Sequence, residues 1–126
     1  MIVTNIGERI IKLSNEEIAI AGDEKVYLID INKYLIINEI NSDYLNCSIL
    51  KLSNNLFLIG DKNGIITQYR IKNKKLIKES FKNKSHEKSI FSLTILNDMI
   101  ISGSYFSNEI KIWKKWKNLN NNIINI

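Results

Sequence analysis

The sequence predicts an all-β protein made of short antiparallel strands. Three features carry that expectation: apolar runs of strand length, turn residues in every gap between them, and a motif that recurs along the chain. The clearest runs are VYLIDI (26–31), YLIINEI (34–40), LFLIG (56–60), GIITQYRI (64–71), SIFSLTIL (89–96) and MIISG (99–103). They are rich in β-branched and aromatic side chains, and clusters of Asn, Asp, Gly, Ser or Lys bound them. No segment keeps apolar residues at i, i+3, i+4 and i+7 for long enough to prefer a helix over a strand.

Taken in chain order, the runs fall into three similar units. KLSNEEIAIAGDEKVYLIDINKYLIINEI starts at Lys12, KLSNNLFLIGDKNGIITQYRIKNKKLIKES at Lys51, and TILNDMIISGSYFSNEIKIWKKWKNLNN at Thr94. Each has a polar turn, a run ending in glycine, a second polar turn and a further strand. Gly22, Gly60 and Gly103 are spaced by 38 and 43 residues. Internal periods of about 40–45 residues mark propeller blades of four strands each. The second and third strands of a unit are apolar at nearly every position, which suits strands covered on both faces by stacked blades. Asn63-Gly64 between two apolar runs predicts a type I′ hairpin, which needs φ > 0 at both central residues. The tail NLNNNIINI (118–126) reads as a weak outer strand. The expected organisation is one domain over 1–126, with blades at about 7–40, 44–80 and 86–126.

Composition bounds the function classes. The 126 residues are 44% hydrophobic and 25% charged, too apolar for a chain disordered throughout and enough for one real core. The net charge of +5 admits nucleic acid or an anionic surface as partner. The same lysines belong to a general skew towards Ile, Asn and Lys, with two Arg and no Pro, that AT-rich codon usage explains. Cys47 is the single cysteine, so no internal disulfide can form, as expected in a reducing compartment. MIVTNIGERI lacks the basic start and long apolar stretch of a signal peptide, and no apolar run reaches the ~20 residues that span a bilayer. A cytoplasmic protein with no membrane partner is expected.

The third unit resembles a WD-repeat β-propeller blade. Ser85-His86 stands where that family has Gly-His, and Trp113-Lys114 where it has Trp-Asp, with His86 and Trp113 27 residues apart. Tyr69-Arg70 takes the Trp-Asp place in the second unit and Ile29-Asp30 in the first. The resemblance runs from about residue 7 to 117, and implies antiparallel four-stranded blades of a partial, about three-bladed β-propeller. It also implies a buried hydrogen-bonded set in the third blade, for which His86, Ser102 and Trp113 match. The family's Asp in the turn after the second strand has no counterpart. That turn, SYFSNE (104–109), is one residue longer and offers Ser107 or Asn108 instead.

No catalytic or metal-binding constellation emerges. One His and one distant Cys cannot build a tetrahedral zinc site. Cys47 reads as a small buried strand residue rather than as a nucleophile paired with His86. The acidic pairs 16–17 and 23–24 fall in turns where charge is solvated, and GDKNG lacks the phosphate-loop pattern. The expectation is no enzyme, no cofactor and no metal.

What remains is a surface. Antiparallel strands bring the connection FKNKSHEK (81–88) and the turn SYFSNE to the same end of the blade. Lys82, Lys84 and Lys88 are therefore expected near Tyr105 and Phe106, with Lys62 beside Asp23 and Glu24 as a second patch. Aromatics ringed by polar groups are what interface hot spots look like, although either ring can instead fold inwards over His86. The expected function is a protein-interaction scaffold that binds a protein or peptide on this face. The alternative is a nucleic-acid-binding β-domain that uses the lysines of 72–88. Three blades do not close a ring, since closed propellers have four or more. The chain is then a piece of a longer propeller, or closes by self-association, or is an open arc capped by a partner.

Overall fold

Among the described residues, twelve strands pair into three antiparallel sheets of four, each a simple meander. The computed structural model describes residues 6–82, 85–104, 109–114 and 122–125. The first sheet holds β1 (Ile6–Lys12), β2 (Glu17–Gly22), β3 (Lys25–Asp30) and β4 (Leu35–Asn41). The second holds β5 (Asn46–Ser53), β6 (Leu56–Asp61), β7 (Ile66–Lys72) and β8 (Lys75–Lys82). The third holds β9 (Ile90–Leu96), β10 (Met99–Ser104), β11 (Glu109–Lys114) and β12 (Asn122–Asn125). The predicted all-β architecture of four-stranded units is the one observed.

Register makes the three sheets equivalent position by position. Ile18 pairs with Ile29, Phe57 with Tyr69, and Ile100 with Trp113. Three residues further on, Ala21 pairs with Val26, Gly60 with Ile66, and Gly103 with Ile110. Ala21 is therefore the counterpart of Gly60 and Gly103, one residue before the Gly22 that the sequence pattern suggests. Gly22 is the last residue of β2 and pairs with Ile6.

The sheets stack face to face, with their first strands β1, β5 and β9 side by side. We call the side of a sheet that faces the next one along the chain its forward face. Leu13, Ala19, Ala21, Val26 and Leu28, on the forward face of the first sheet, pack against Phe57, Ile59 and Tyr69 of the second. Leu58 and Ile66, on the forward face of the second, pack against Ile90, Ile100 and Trp113. Strand β6 lies between two neighbours, and all six of its residues are buried. That is why LFLIG shows no polar alternation. Full burial of one such large apolar side chain contributes about 1.5–3 kcal/mol.

Polar bonds pin the stacked sheets at their first strands. Arg9 Nε donates to the Cys47 carbonyl, and Ser48 Oγ donates to the Ile90 carbonyl at 2.8 Å. Gly60 lies directly beneath the second bond. A Cβ there would sit 2.7 Å from both Ser48 Oγ and Ile90 Cγ2, so only glycine lets β9 approach this closely.

The turns depart from expectation in one place. Asn63 does not have positive φ, so Asn63-Gly64 is not a type I′ pair. The reversal is a five-residue loop over 61–65, built on the buried Asp61. Its Oδ1 accepts the N–H groups of Asn63 and Ile65 at 2.9 and 3.0 Å. A two-residue hairpin with both φ positive occurs instead at Asn73 (52°) and Lys74 (63°), between the paired Lys72 and Lys75.

Candidate functional site

The meander sends the turns after β2 and β6 and the links between sheets to one end of the stack. Backbone bonds tie these loops together. Ser42 N donates to Glu24 O at 2.8 Å, Lys62 N to Leu45 O at 2.8 Å, and the Ser85 and His86 N–H groups both to Gly64 O at 2.8 and 3.0 Å. Each link between sheets is thus fastened to the turn of the sheet before it.

The third sheet carries a buried polar set at this end. His86 Nε2 lies 2.8 Å from Ser102 Oγ, and Trp113 Nε1 donates to the same oxygen at 3.0 Å. All three residues are at most 1% exposed. Ser102 and Trp113 are adjacent to each other because β10 and β11 pair Ser102 with Lys111 and Ile100 with Trp113. His86 reaches them from the link before β9. Among the described residues its Nδ1 is buried without a hydrogen-bond partner, as are Ser85 Oγ and Ser104 Oγ. Ser107 and Asn108, which stand at the place of the family's Asp, lie outside the described residues, as do Tyr105 and Phe106.

Burial, and then the positive Lys111, push the His86 pKa below its ordinary value of 6.5, while Glu109 opposes them. The folded state therefore holds the neutral ring, and stability is complete above pH 6.5 and lost as pH falls towards the lowered folded value. The melting temperature of the native chain is expected to drop between about pH 7 and 5.5, and His86→Gln is expected to flatten that interval. An identical slope in both proteins would remove His86 as its source.

Tyr69 fills the Trp113 position in the second sheet. It is 2% exposed and stacks on Phe57, with ring centroids 5.5 Å apart and planes 10° apart. Burial pushes its phenol up to about 12. Ser42 of the preceding link partly offsets that rise, and the two residues line one small cavity.

Beside Ser42, a cleft of ≈ 550 Å³ opens between the turn after β2 and the link 42–45. Asp23, Glu24, Asp43, Tyr44 and Leu45 line it. Tyr44 and Leu45 are 44% and 40% exposed. Lys25, also in its wall, is engaged with Glu39 at 3.0 Å. Sequence reasoning picked out Asp23, Glu24 and Lys62 here and missed Tyr44 and Leu45. The available signal was two large side chains in NSDYLN, a segment otherwise made of turn residues.

Lys62 and Lys88 are exposed at this loop end. Lys84 lies outside the described residues, as does the side chain of Lys82. The expected patch around Tyr105 and Phe106 therefore has only Lys88 within the described part. Cys47 sits half-buried in β5, and burial, followed by the charge of Asp61, raises its thiol pKa. That lowers its thiolate content and its reactivity. Among the described residues no group of three or more His, Cys, Asp or Glu side chains is placed to hold a metal ion.

No protein-family model matches this sequence, and no curated protein sequence does either. Solved structures do match the backbone. The β-propeller domain of Cps50 (Swd1) from Myceliophteria thermophila superposes with a TM-score of 0.74 at 14% identity, over 93% of this chain and 42% of that one. The fold is that of β-propeller blades. Two computationally designed proteins agree. Ika4 gives a TM-score of 0.72 at 16% identity over 90% of this chain and 70% of that one. Ika8 gives 0.66 at 17% identity over 84% and 32%. This chain spans less than half the length of the Cps50 propeller domain and of Ika8. The three sheets are propeller blades, and the His86–Ser102–Trp113 set locks the third of them.

Proposed function

We propose that this chain is a non-catalytic interaction scaffold that binds a protein or peptide segment on the loop end of its blades. The cleft between Asp23, Glu24, Tyr44 and Leu45 is the observation that carries this reading. An aromatic and an aliphatic side chain exposed among polar groups can bury area on a partner at little cost in desolvation. Asp23 and Glu24 are exposed and join no ion pair within 4 Å among the described residues. Their charge favours a segment carrying Lys or Arg, although the chain as a whole is basic.

The nucleic-acid alternative draws less support. Lys74 pairs with Glu17 at 2.8 Å, and Lys78 donates to Asn41 O at 3.0 Å and lies 3.6 Å from Asp43. The hairpin Asn73–Lys74 and the exposed Lys88 lie at opposite ends of the blades, so the described lysine side chains of 72–88 do not gather into one patch.

The test is fluorescence polarisation with libraries of basic, neutral and acidic peptides and with single-stranded RNA. Basic peptides are expected to bind, and Tyr44→Ala with Leu45→Ala to weaken them at least tenfold, about 1.4 kcal/mol. Equal binding of acidic peptides, or no loss in the variant, would reject the site. Tight, steeply salt-dependent RNA binding would reject the class of partner.

A further inference from the structure

The forward face of the third blade repeats much of the two faces that hold this protein together, with Thr94 standing where Ile11 and Leu50 pack on the cores. At the first-strand position paired with Ala21, Gly60 and Gly103 stand Arg9, Ser48 and Ser92. Arg9 and Ser48 each donate to a first-strand carbonyl of the following blade. Ser92 is the third of this series and is exposed. Four residues after Arg9, Ser48 and Ser92 stand Leu13, Leu52 and Leu96. Leu13 is fully buried in the core between blades one and two, and Leu52 packs on the core between blades two and three. Leu96 is 56% exposed. Across the rest of this face Ile101, Ile110 and Ile112 are only half-buried, where their counterparts Ala19, Val26 and Leu28 in the first blade are fully buried. Small residue, hydroxyl donor and leucine are thus all in place to receive the first strand of another blade.

The first blade supplies such a strand. A register irregularity marks the start of all three first strands, between Ile6 and Arg9, between Asn46 and Ser48, and opposite Gly103 and Ser104. By these registers Ile6 corresponds to Ile90, whose carbonyl accepts from Ser48. On the backward face of the first blade Ile20 and Ile29 are already buried, while Ile10 of β1 is 56% exposed. On the same face Ile36 of β4, paired with Ile29, is 37% exposed, so β1 carries the more exposed of the two isoleucines.

We propose that the forward face of the third blade binds β1 of a second copy of this chain, with Ser92 Oγ donating to the Ile6 carbonyl and Leu96 packing at the seam. The contact is head-to-tail, so two copies make it twice and close a ring of six blades, within the range of closed propellers. The inference is independent of the peptide cleft.

Light scattering on the purified full chain over about 1–100 μM tests it, with Ile10→Glu and Leu96→Glu as variants. Both positions are exposed, and far-UV circular dichroism checks that each variant keeps its fold. The native chain is expected to have twice the mass of one chain, and each variant alone the mass of one. An equimolar mixture of the two variants is expected to recover the doubled mass, because one native seam forms between an intact Leu96 face and an intact β1. A single-chain mass for the native protein at 100 μM would overturn the proposal. So would a doubled mass that survives Ile10→Glu, which signals pairing of two third blades, or larger species that persist in both variants.

Discussion

Gly64→Ala is expected to destabilise the chain by about 3–5 kcal/mol, a large part of the 5–15 kcal/mol that a domain of this size has. Gly64 has φ +81°, and a Cβ there would lie 1.8 Å from the His86 carbonyl oxygen and 2.8 Å from that of Lys88. Both obstacles are backbone, so no rotamer change relieves them. Left-handed φ alone costs a residue with a Cβ about 1–2 kcal/mol. The remainder is lost anchorage, because the Gly64 carbonyl accepts the Ser85 and His86 N–H groups and so fastens the link to the third blade. Urea titration checks this, with Gly103→Ala as a comparison. A Cβ at Gly103 meets only Ser92 Oγ at 3.1 Å, so that change is expected to cost much less. A Gly64→Ala shift below about 1 kcal/mol would show that the link is not held as described.

Ser102→Ala is expected to cost about 2–4 kcal/mol, although it removes a single oxygen. Ser102 Oγ is the one atom that both Trp113 Nε1 and His86 Nε2 reach. Without it the buried His86 Nε2 loses this partner, at about 1–3 kcal/mol, and the Trp113 Nε1 hydrogen bond is lost as well, at about 0.5–1.5 kcal/mol. Collapse of the small void offsets little, since the His86 Nδ1 is already unmatched among the described residues on the other side of the ring. Chemical denaturation of Ser102→Ala and Ser102→Thr separates the terms, because threonine keeps the hydroxyl. A loss below 1 kcal/mol in the alanine variant would mean that water or a turn residue takes over. Tryptophan fluorescence gives a second readout, since Trp113 reports directly on the set.

The strands were legible because their residue types leave few alternatives. Six consecutive buried positions in β6 cannot alternate, and LFLIG does not. The blade set was legible in part. His86, Ser102 and Trp113 are uncommon residues in this composition at a spacing a single blade imposes, and the structure brings all three onto one oxygen. The turn in which the Asp is missing lies outside the described residues. The turn at Asn63-Gly64 misled because the dipeptide reports only a local preference. The buried Asp61 carboxylate accepts two backbone N–H groups and holds a wider loop, in which Gly64 alone needs positive φ. Tyr44 and Leu45 stand out locally as two large side chains among turn residues, but only the packing of the link against the turn after β2 makes them a cleft wall.

The sequence by itself determined the secondary structure, the three-fold repetition and the residues of the buried set. Hydrophobic pattern, turn chemistry and spacing are properties of neighbours along the chain, and each can be read within one unit. Which faces meet was decided only by the tertiary structure. Ala21, Gly60 and Gly103 share a position because strand pairing aligns them, one residue away from where glycine spacing alone puts the first. Arg9 and Ser48 share a role, donating to the next blade, that no similarity of side chain suggests. The reason is that contacts between blades join residues about forty positions apart, and their energy depends on register and on the approach of two backbones.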